Sequence, residues 1–87
     1  MIVFDSEKDA ANIAKHGVSL SLAAELVLDE AVVFEDRRKD YGEVRCNAYG
    51  LIDGVLYALS FTLRGEDVRV ISLRRAREKE VRQWLRR

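Results

Sequence analysis

The chain has 87 residues, of which 48% are apolar, with one cysteine and no proline. This length allows one domain with one modest core, the apolar content excludes a disordered chain, and no apolar run reaches the roughly 18 residues of a membrane span. Basic and acidic residues balance at 15 each, but residues 1–67 carry a net charge of −6 and residues 68–87 a net charge of +6. The basic end is either the solvated face of a terminal helix or a surface for a polyanion or an acidic protein.

Two helices are predicted at the start of the chain. Asp5 and Ser6 can cap a helix over residues 7–16, and Gly17 can take the left-handed conformation that ends it. Helical spacing gives this helix an expected packing face, formed by Ala10, Ile13, Ala14 and Gly17, and an expected water face, formed by Lys8, Asn12 and Lys15. Ser19 is expected to cap a second helix to about Leu28, with inward residues Leu22, Ala23, Leu26 and Val27.

Four β-strands are predicted in the remainder, over residues 31–35, 44–52, 55–63 and 68–73. The charged segment 36–42 is expected to be a mobile loop. A closing helix over residues 76–87 is expected to pack through Val81, Trp84 and Leu85. The predicted fold class is α+β: an antiparallel meander of about four strands, with two N-terminal helices on one face and a C-terminal helix.

The Asp53-Gly54 turn predicts the register of the central hairpin. One face of the hairpin is then apolar. The other face is almost entirely polar and pairs Tyr49 with Ala58, Asn47 with Ser60, Arg45 with Thr62 and Glu43 with Arg64. If the next hairpin turns at Gly65-Glu66, a row forms on the polar face from Arg45, Thr62 and Arg69, with Glu43 and Arg64 at its end. The row either binds a phosphate backbone or is a plain solvated sheet face. Arg74 joins the polar face only if the last strand bulges or ends before it.

The residue types restrict the chemistry. A single histidine and a single cysteine give no zinc spacing, and no glycine-rich phosphate loop precedes a helix, so metal and nucleotide enzymes are not expected. His16 is either an imidazolium favoured by the helix C-terminus, a partly packed ring, or a proton-transfer group near the polar face. Cys46 is expected to be a buried small hydrophobe, and Trp84 a core anchor rather than a stacking platform.

These residue types suit cleavage of RNA by its own 2′-hydroxyl. The reaction needs a base for the 2′-proton, an acid for the 5′-oxygen and cations at the pentacoordinate phosphate. By residue type, Glu43 could be the base and His16 the acid, and the cations could be Arg45, Arg64 and Arg69.

Several short sequence motifs, taken together in their order along the chain, make the chain resemble the BrnT toxin family. The residues that carry this resemblance include Lys15-His16-Gly17-Val18-Ser19, Asp40-Tyr41-Gly42-Glu43 with Arg45, Phe61-Thr62 with Arg64-Gly65, and Val68-Arg69-Val70-Ile71-Ser72 with Arg74, Ala76 and Glu80. The resemblance implies a single RelE-like domain over residues 1–87. It also implies a metal-independent endoribonuclease toxin of a type II toxin–antitoxin module, which is neutralised by a BrnA-type antitoxin.

The resemblance also implies site residues and partners. Candidate catalytic residues are His16, Glu43, Arg64 and Arg74, and candidate RNA-binding residues are Arg45, Arg69, Lys8 and Lys15. No metal or cofactor is expected. DNA would be bound only through the antitoxin, in an assembly of higher order. The lone cysteine and the lack of a secretory signal at the N-terminus favour a cytoplasmic location without membrane contact. The alternative is a noncatalytic binding module whose basic surface holds a protein or nucleic acid.

Overall fold

The structure, a computed structural model, describes residues 1–38 and 40–87. Lys39, in the predicted loop 36–42, lies outside the described residues. The elements in chain order are β1 (Ile2–Val3), α1 (Ser6–His16), a first 3₁₀ helix (Leu20–Glu25), a second 3₁₀ helix (Leu28–Glu30), β2 (Val32–Asp36), β3 (Arg45–Ile52), β4 (Val55–Arg64), β5 (Asp67–Arg75) and α2 (Glu78–Leu85). The α+β class is confirmed, and none of the described helices is long and apolar enough to cross a bilayer.

The described strands form one mixed sheet in the order β1-β5-β4-β3-β2. The four predicted strands are present and pair antiparallel as a meander. The predicted strand number of four is wrong, because β1 adds a fifth strand parallel to β5, with Ile2 beside Val68. Two residues are too few to show the alternation that identifies a strand from sequence.

The predicted register is confirmed in both hairpins. Arg45 pairs with Thr62, and Thr62 pairs with Arg69. Asp53 and Gly54 have φ angles of 49° and 77°, the left-handed conformation that the tight turn requires. Further along β5 the register shifts by one residue, so that Ile71 has no cross-strand partner. This β-bulge changes which side chains of β5 share a face.

The core lies between one face of the sheet and the N-terminal helical segments. It combines Leu20, Ala23 and Leu26 with the sheet residues Ala48, Ile52, Tyr57, Leu59, Val70 and Leu73. Leu26 packs directly on Gly50, where an added Cβ would lie 2.6 Å from Leu26 Cδ2. Gly50 therefore allows the first 3₁₀ helix to approach the sheet closely.

The predicted packing face of α1 is wrong. Ile13 is 46% exposed, and Ala10 and Ala14 are also exposed, whereas Asn12, expected to face water, is 6% exposed. The Asn12 amide donates to the carbonyl oxygens of Val18 and Leu73 at 2.9 and 2.8 Å and accepts from Leu73 N–H at 3.2 Å. Hydrogen bonds to the backbone therefore hold this helix against the edge of β5, and an apolar stripe does not.

Four smaller expectations also change. The second helix begins at the predicted cap Ser19, but it is 3₁₀ rather than α-helical, and Val27 is 44% exposed instead of packed. In α2, Trp84 is buried as predicted, whereas Leu85 is 74% exposed. Cys46 is half-buried rather than fully buried.

Candidate functional site

Three cross-strand rows form the face of the sheet opposite the N-terminal helices, which we term the polar face. Each row takes one residue from each of four strands, in the order β2, β3, β4, β5. The first row is Val32, Tyr49, Ala58 and Arg74; the middle row is Phe34, Asn47, Ser60 and Ser72; the third row is Asp36, Arg45, Thr62 and Arg69. Arg74 and Ser72 belong to these rows because the bulge at Ile71 reverses the alternation of β5.

Glu80 of α2 fixes the first row. Its carboxylate accepts two hydrogen bonds from Arg74, Nη1 to Oε1 at 2.8 Å and Nη2 to Oε2 at 2.9 Å. Tyr49 Oη donates to Oε2 at 2.7 Å, and the backbone N–H of Arg77 donates to Oε1 at 2.7 Å. The carboxylate thus ties β3, β5 and the first turn of α2 together, and it holds the Arg74 guanidinium in one orientation.

The electrostatics of this network agree with its geometry. The hydrogen bonds from Arg74 lower the pKa of Glu80 to about 2, although burial opposes the shift. The same contact raises the pKa of Arg74. Burial, followed by the hydrogen bond to Glu80, raises the pKa of Tyr49. At neutral pH the network therefore contains a fixed ion pair and a neutral phenol.

An open cavity of about 500 Å³ lies over the first and middle rows. Its walls include Ser72, Arg74 and Glu80 on one side and Phe34 with Asn47 on the other.

Arg77, at the start of α2, also lines this cavity. Among the described residues, its side chain has no carboxylate partner. Arg74 thus supplies a cation fixed in place, and Arg77 supplies one that is free to bind an incoming anion.

His16 lies beside this cavity, at the end of α1. It lines a neighbouring depression with Lys8 and Lys15, and this depression shares Ser72 with the cavity. Partial burial, followed by the positive charges of Lys15, Arg74 and Arg77, lowers the pKa of His16 below 6.5. Of the alternatives for His16, the partly packed ring agrees with its intermediate burial, and the lowered pKa disfavours the imidazolium, so the ring is mainly neutral at pH 7.

Glu43 and Arg64 form a separate cluster at the far end of β4. Arg64 Nη2 lies 3.2 Å from the Glu43 carboxylate, and Arg45 Nε lies 3.7 Å from it. The Arg45 guanidinium also stands over the Tyr41 ring, 4.1 Å from its centroid. Arg64 is six residues further along β4 than the partner of Arg74, which corresponds to about 20 Å. The four candidate catalytic residues are therefore divided between two places, and Glu43 and Arg64 cannot act on a phosphate held by Arg74.

The third row lies between these two places. Thr62 at its centre is 1% exposed, and its hydroxyl donates to the carbonyl oxygen of Val44 at 2.6 Å. Arg69 is partly buried beside it, and Asp36 is buried at the β2 end. Two hydrogen bonds from Arg38, at 2.9 and 2.8 Å, lower the pKa of Asp36. The row is a pair of arginines flanking a buried threonine, as the register predicted.

A family model described as ribonuclease toxin, BrnT, of type II toxin-antitoxin system matches residues 4–80. The chain belongs to the BrnT toxin family. A search of curated proteins finds no match. All the candidate residues named from the sequence lie within the matched range, and Glu80 is its last residue. BrnT toxins act as ribonucleases, and their membership of type II modules implies an antitoxin partner.

Sequence reasoning missed several residues of this BrnT toxin's cavity. Tyr49, Asn47 and Ser60 were placed correctly on the polar face but given no role, because their residue types are common on solvated strands. Arg77 belongs to the basic C-terminal segment, for which charge alone left a solvated helix face and an anion-binding surface both open. Glu80 had one usable signal, since an acidic residue at the third position of a helix can bond back to its N-terminus.

Proposed function

We propose that this BrnT toxin is a metal-independent endoribonuclease whose reacting phosphate binds between Arg74 and His16. The observation that supports this proposal is the bulge at Ile71, which brings a rigidly held guanidinium onto the open face next to a neutral imidazole. Cations fixed where charge develops in the transition state are commonly the largest catalytic contribution.

The proposed reaction uses the 2′-hydroxyl of the RNA. His16 takes the 2′-proton, the 2′-oxygen forms a bond to phosphorus, and the bond to the 5′-oxygen breaks. The products are a 2′,3′-cyclic phosphate and a 5′-hydroxyl, whose proton comes from water. Arg74 and Arg77 stabilise the negative charge on the phosphate oxygens. The neutral state of His16 favours a base over the acid that residue type alone suggested.

The third row and the Glu43 cluster are proposed to hold the RNA strand away from the reacting phosphate. Arg45 and Arg69 lie on the same face as Arg74, and Arg64 extends this basic track toward the end of β4. Lys8 and Lys15, which surround His16, would contact the strand on the other side. Phosphate contacts of this kind add affinity but carry no base specificity.

Metal independence is proposed from the state of the carboxylates near the polar face. Glu80 is bound by Arg74, Asp36 by Arg38, and Glu43 by Arg64. A divalent cation would have to displace a guanidinium from each of these carboxylates before it could be coordinated. Their oxygens are therefore poor ligands for Mg²⁺ or Ca²⁺.

The antitoxin is proposed to be of the BrnA type, and the domain to be RelE-like. An acidic or amphipathic segment of the antitoxin would cover the cavity, where Arg77 has no carboxylate partner among the described residues and can accept an acidic side chain. DNA would be bound only through the antitoxin, in an assembly of higher order, and the toxin would act in the cytoplasm, where its RNA substrates are.

Inducible expression tests the function, with Arg74→Ala as the key variant and Arg82→Ala as its matched control. Arg82 is an arginine of α2 that is 58% exposed and, within the part of the chain that the structure describes, pairs with Glu78 alone. Wild type and Arg82→Ala should arrest growth and cut cellular RNA, and Arg74→Ala should not. Arg64→Ala compares the two clusters. If Arg64→Ala abolished cleavage while Arg74→Ala retained it, the proposed position of the reacting phosphate beside Arg74 would be contradicted.

Purified protein tests the mechanism. We expect cleavage of RNA in the presence of EDTA, and no cleavage when the 2′-hydroxyl is methylated. A noncatalytic binding module would instead bind both RNAs and cut neither. Cleavage abolished by EDTA would contradict metal independence.

A further inference from the structure

The middle row of the polar face presents an aromatic ring that the cleavage chemistry does not use. Phe34 lies at its β2 end and is 45% exposed. Its ring stacks on Tyr49, with centroids 6.0 Å apart and planes at 23°. Tyr49 is itself fixed by its hydrogen bond to Glu80. Phe34 is therefore an open ring on the cavity wall, supported by a second ring that cannot turn freely.

An oriented amide lies next to this ring. Asn47 is the cross-strand partner of Phe34 and lines the same cavity. Ser60 Oγ donates to Asn47 Oδ1 at 2.7 Å, which engages the amide oxygen. Among the described residues, Asn47 Nδ2 donates to none, so its two N–H groups can donate to a ligand in the cavity.

An exposed aromatic face beside neutral hydrogen-bond donors matches the chemistry of an unpaired nucleobase. The base stacks on the ring, and oxygen or ring-nitrogen atoms at its edge accept from the amide. An apolar protein side chain could cover Phe34, but it would leave the Asn47 donors without a partner, and such burial is costly. The combination therefore favours a base over a peptide.

We infer that Phe34 and Asn47 form a nucleobase subsite, which holds one unpaired base of single-stranded RNA near the scissile phosphate. The inference takes RNA as the substrate from the proposed function. It adds that the toxin selects a base whose edge carries an acceptor for the Asn47 amide. Phe34 on β2 and Ser72 on β5 are three strand spacings apart, or about 14 Å. The base thus lies at one end of the middle row and the phosphate at the other, beside Arg74.

The test uses short single-stranded RNAs with each of the four bases at positions flanking the cut. A version with deoxyribose at the cut measures binding without cleavage. The variants are Phe34→Ala, Phe34→Trp and Asn47→Asp. The matched control is Val33→Ala, because Val33 is the adjacent residue of the same strand, is 53% exposed and pairs with Ala48 on the opposite face. Melting temperatures of all variants check that the fold is retained.

Phe34→Ala should lower both binding and kcat/KM by roughly tenfold to a hundredfold, the range for loss of one base stack. Phe34→Trp should restore both, and Val33→Ala should change neither. Asn47→Asp replaces donors with acceptors, so it should shift the base preference toward edges that present N–H groups.

The outcomes separate the subsite from the proposed function. If the wild-type protein cuts RNA and the variants Phe34→Ala and Asn47→Asp cut it at the same rate and with the same base preference, the subsite alone is overturned. Phe34-dependent binding without any cleavage would support the subsite and overturn the enzymatic function. A wild-type protein that neither binds nor cuts these RNAs would overturn both. Loss of antitoxin binding alone in Phe34→Ala would assign the ring to the partner and overturn the subsite.

Discussion

Glu80 is the residue on which the arrangement of the cavity depends most. Its folded-state pKa of about 2 lies below the ordinary value of 4.5, so it stabilises the fold above pH 4.5, and this contribution is lost as pH falls toward 2. We expect Glu80→Gln to lower the free energy of unfolding at pH 7 by about 2 kcal/mol and to flatten its dependence on pH in this range. Urea denaturation at a series of pH values measures both effects.

Glu78→Gln is the matched control for this prediction. Glu78 lies on the same helix and pairs with Arg82, but its side chain is 85% exposed. Exposed pairs contribute little to stability, so we expect a change of at most about 0.5 kcal/mol. Equal effects of the two variants would contradict the network described here.

His16 gives a prediction about the pH dependence of cleavage. Its pKa lies below 6.5, so a base at this position is active above that pKa and inactive below it. We expect kcat/KM to rise with pH through a midpoint below 6.5 and then to level off. His16→Gln should lower the rate by about 10²–10⁴-fold and remove the rise.

Lys15→Gln tests the electrostatic origin of this midpoint. The charge of Lys15 contributes to the low pKa of His16, so its removal should move the midpoint toward 6.5. A cleavage rate that falls with rising pH through this midpoint would show that His16 donates a proton instead.

At the scale of elements, the Asn12 side chain supplies the backbone of β5 with hydrogen bonds that a neighbouring strand would otherwise provide. β1 pairs with β5 only at Val68 and Arg69, and beyond them the Asn12 amide bonds to both backbone groups of Leu73. Asn12→Ala should lower the free energy of unfolding by about 2–4 kcal/mol, because buried backbone groups lose their partners. Amide hydrogen exchange should show the loss of protection at Leu73, whereas the exposed-site control Ala14→Ser should retain it.

Close packing of the first 3₁₀ helix on β3 gives a second prediction at this scale. Gly50→Ala places a methyl group against Leu26, and we expect it to cost about 1–3 kcal/mol. Leu26→Ala alone leaves a cavity and should cost about 2–5 kcal/mol. The double variant should lose less than the sum, measured by thermal denaturation, since each change relieves the other. Additive losses would mean that the two residues do not contact.

The elements also show which parts of the fold the sequence could predict. The Asp53-Gly54 turn determines the hairpin register by local backbone geometry, and that register is confirmed. The face of α1 was mispredicted because its packing depends on the hydrogen bonds of Asn12 rather than on apolar spacing. The bulge at Ile71 has no local sequence signal, since Ile71 is an ordinary strand residue.

At the scale of the whole molecule, balanced charge predicts modest, salt-sensitive RNA binding. A strand too short to reach Arg64 and the lysines, which contacts phosphates through Arg74, Arg77 and one arginine of the third row, should lose about 20-fold in affinity between 50 and 200 mM salt. Arg77→Ala should reduce the slope of log affinity against log salt by about 0.7, and Arg82→Ala should leave it unchanged. Filter binding at several salt concentrations measures the slope, and a slope near zero would contradict phosphate contacts.

The candidate site could be predicted where it depends on strand pairing, but not where it depends on the position of α2. The row of Arg45, Thr62 and Arg69 followed from strand pairing alone. The separation of Glu43 from Arg74 could not be predicted, because it depends on where α2 returns over the sheet and on which carboxylate meets each guanidinium. The residue types suggested the chemistry, but the tertiary structure was needed to show which of these side chains lie together.

The unpaired Ile71 also has a genetic consequence. The side of the sheet on which Arg74 lies depends on the number of codons between Val70 and Arg74. One codon inserted after Leu73 would direct the arginine toward the helical layer, while the preceding residues retain their pairing. We expect a selection for cells that survive toxin expression to recover such in-frame insertions. The proteins that these alleles encode should accumulate in the cell without arresting growth.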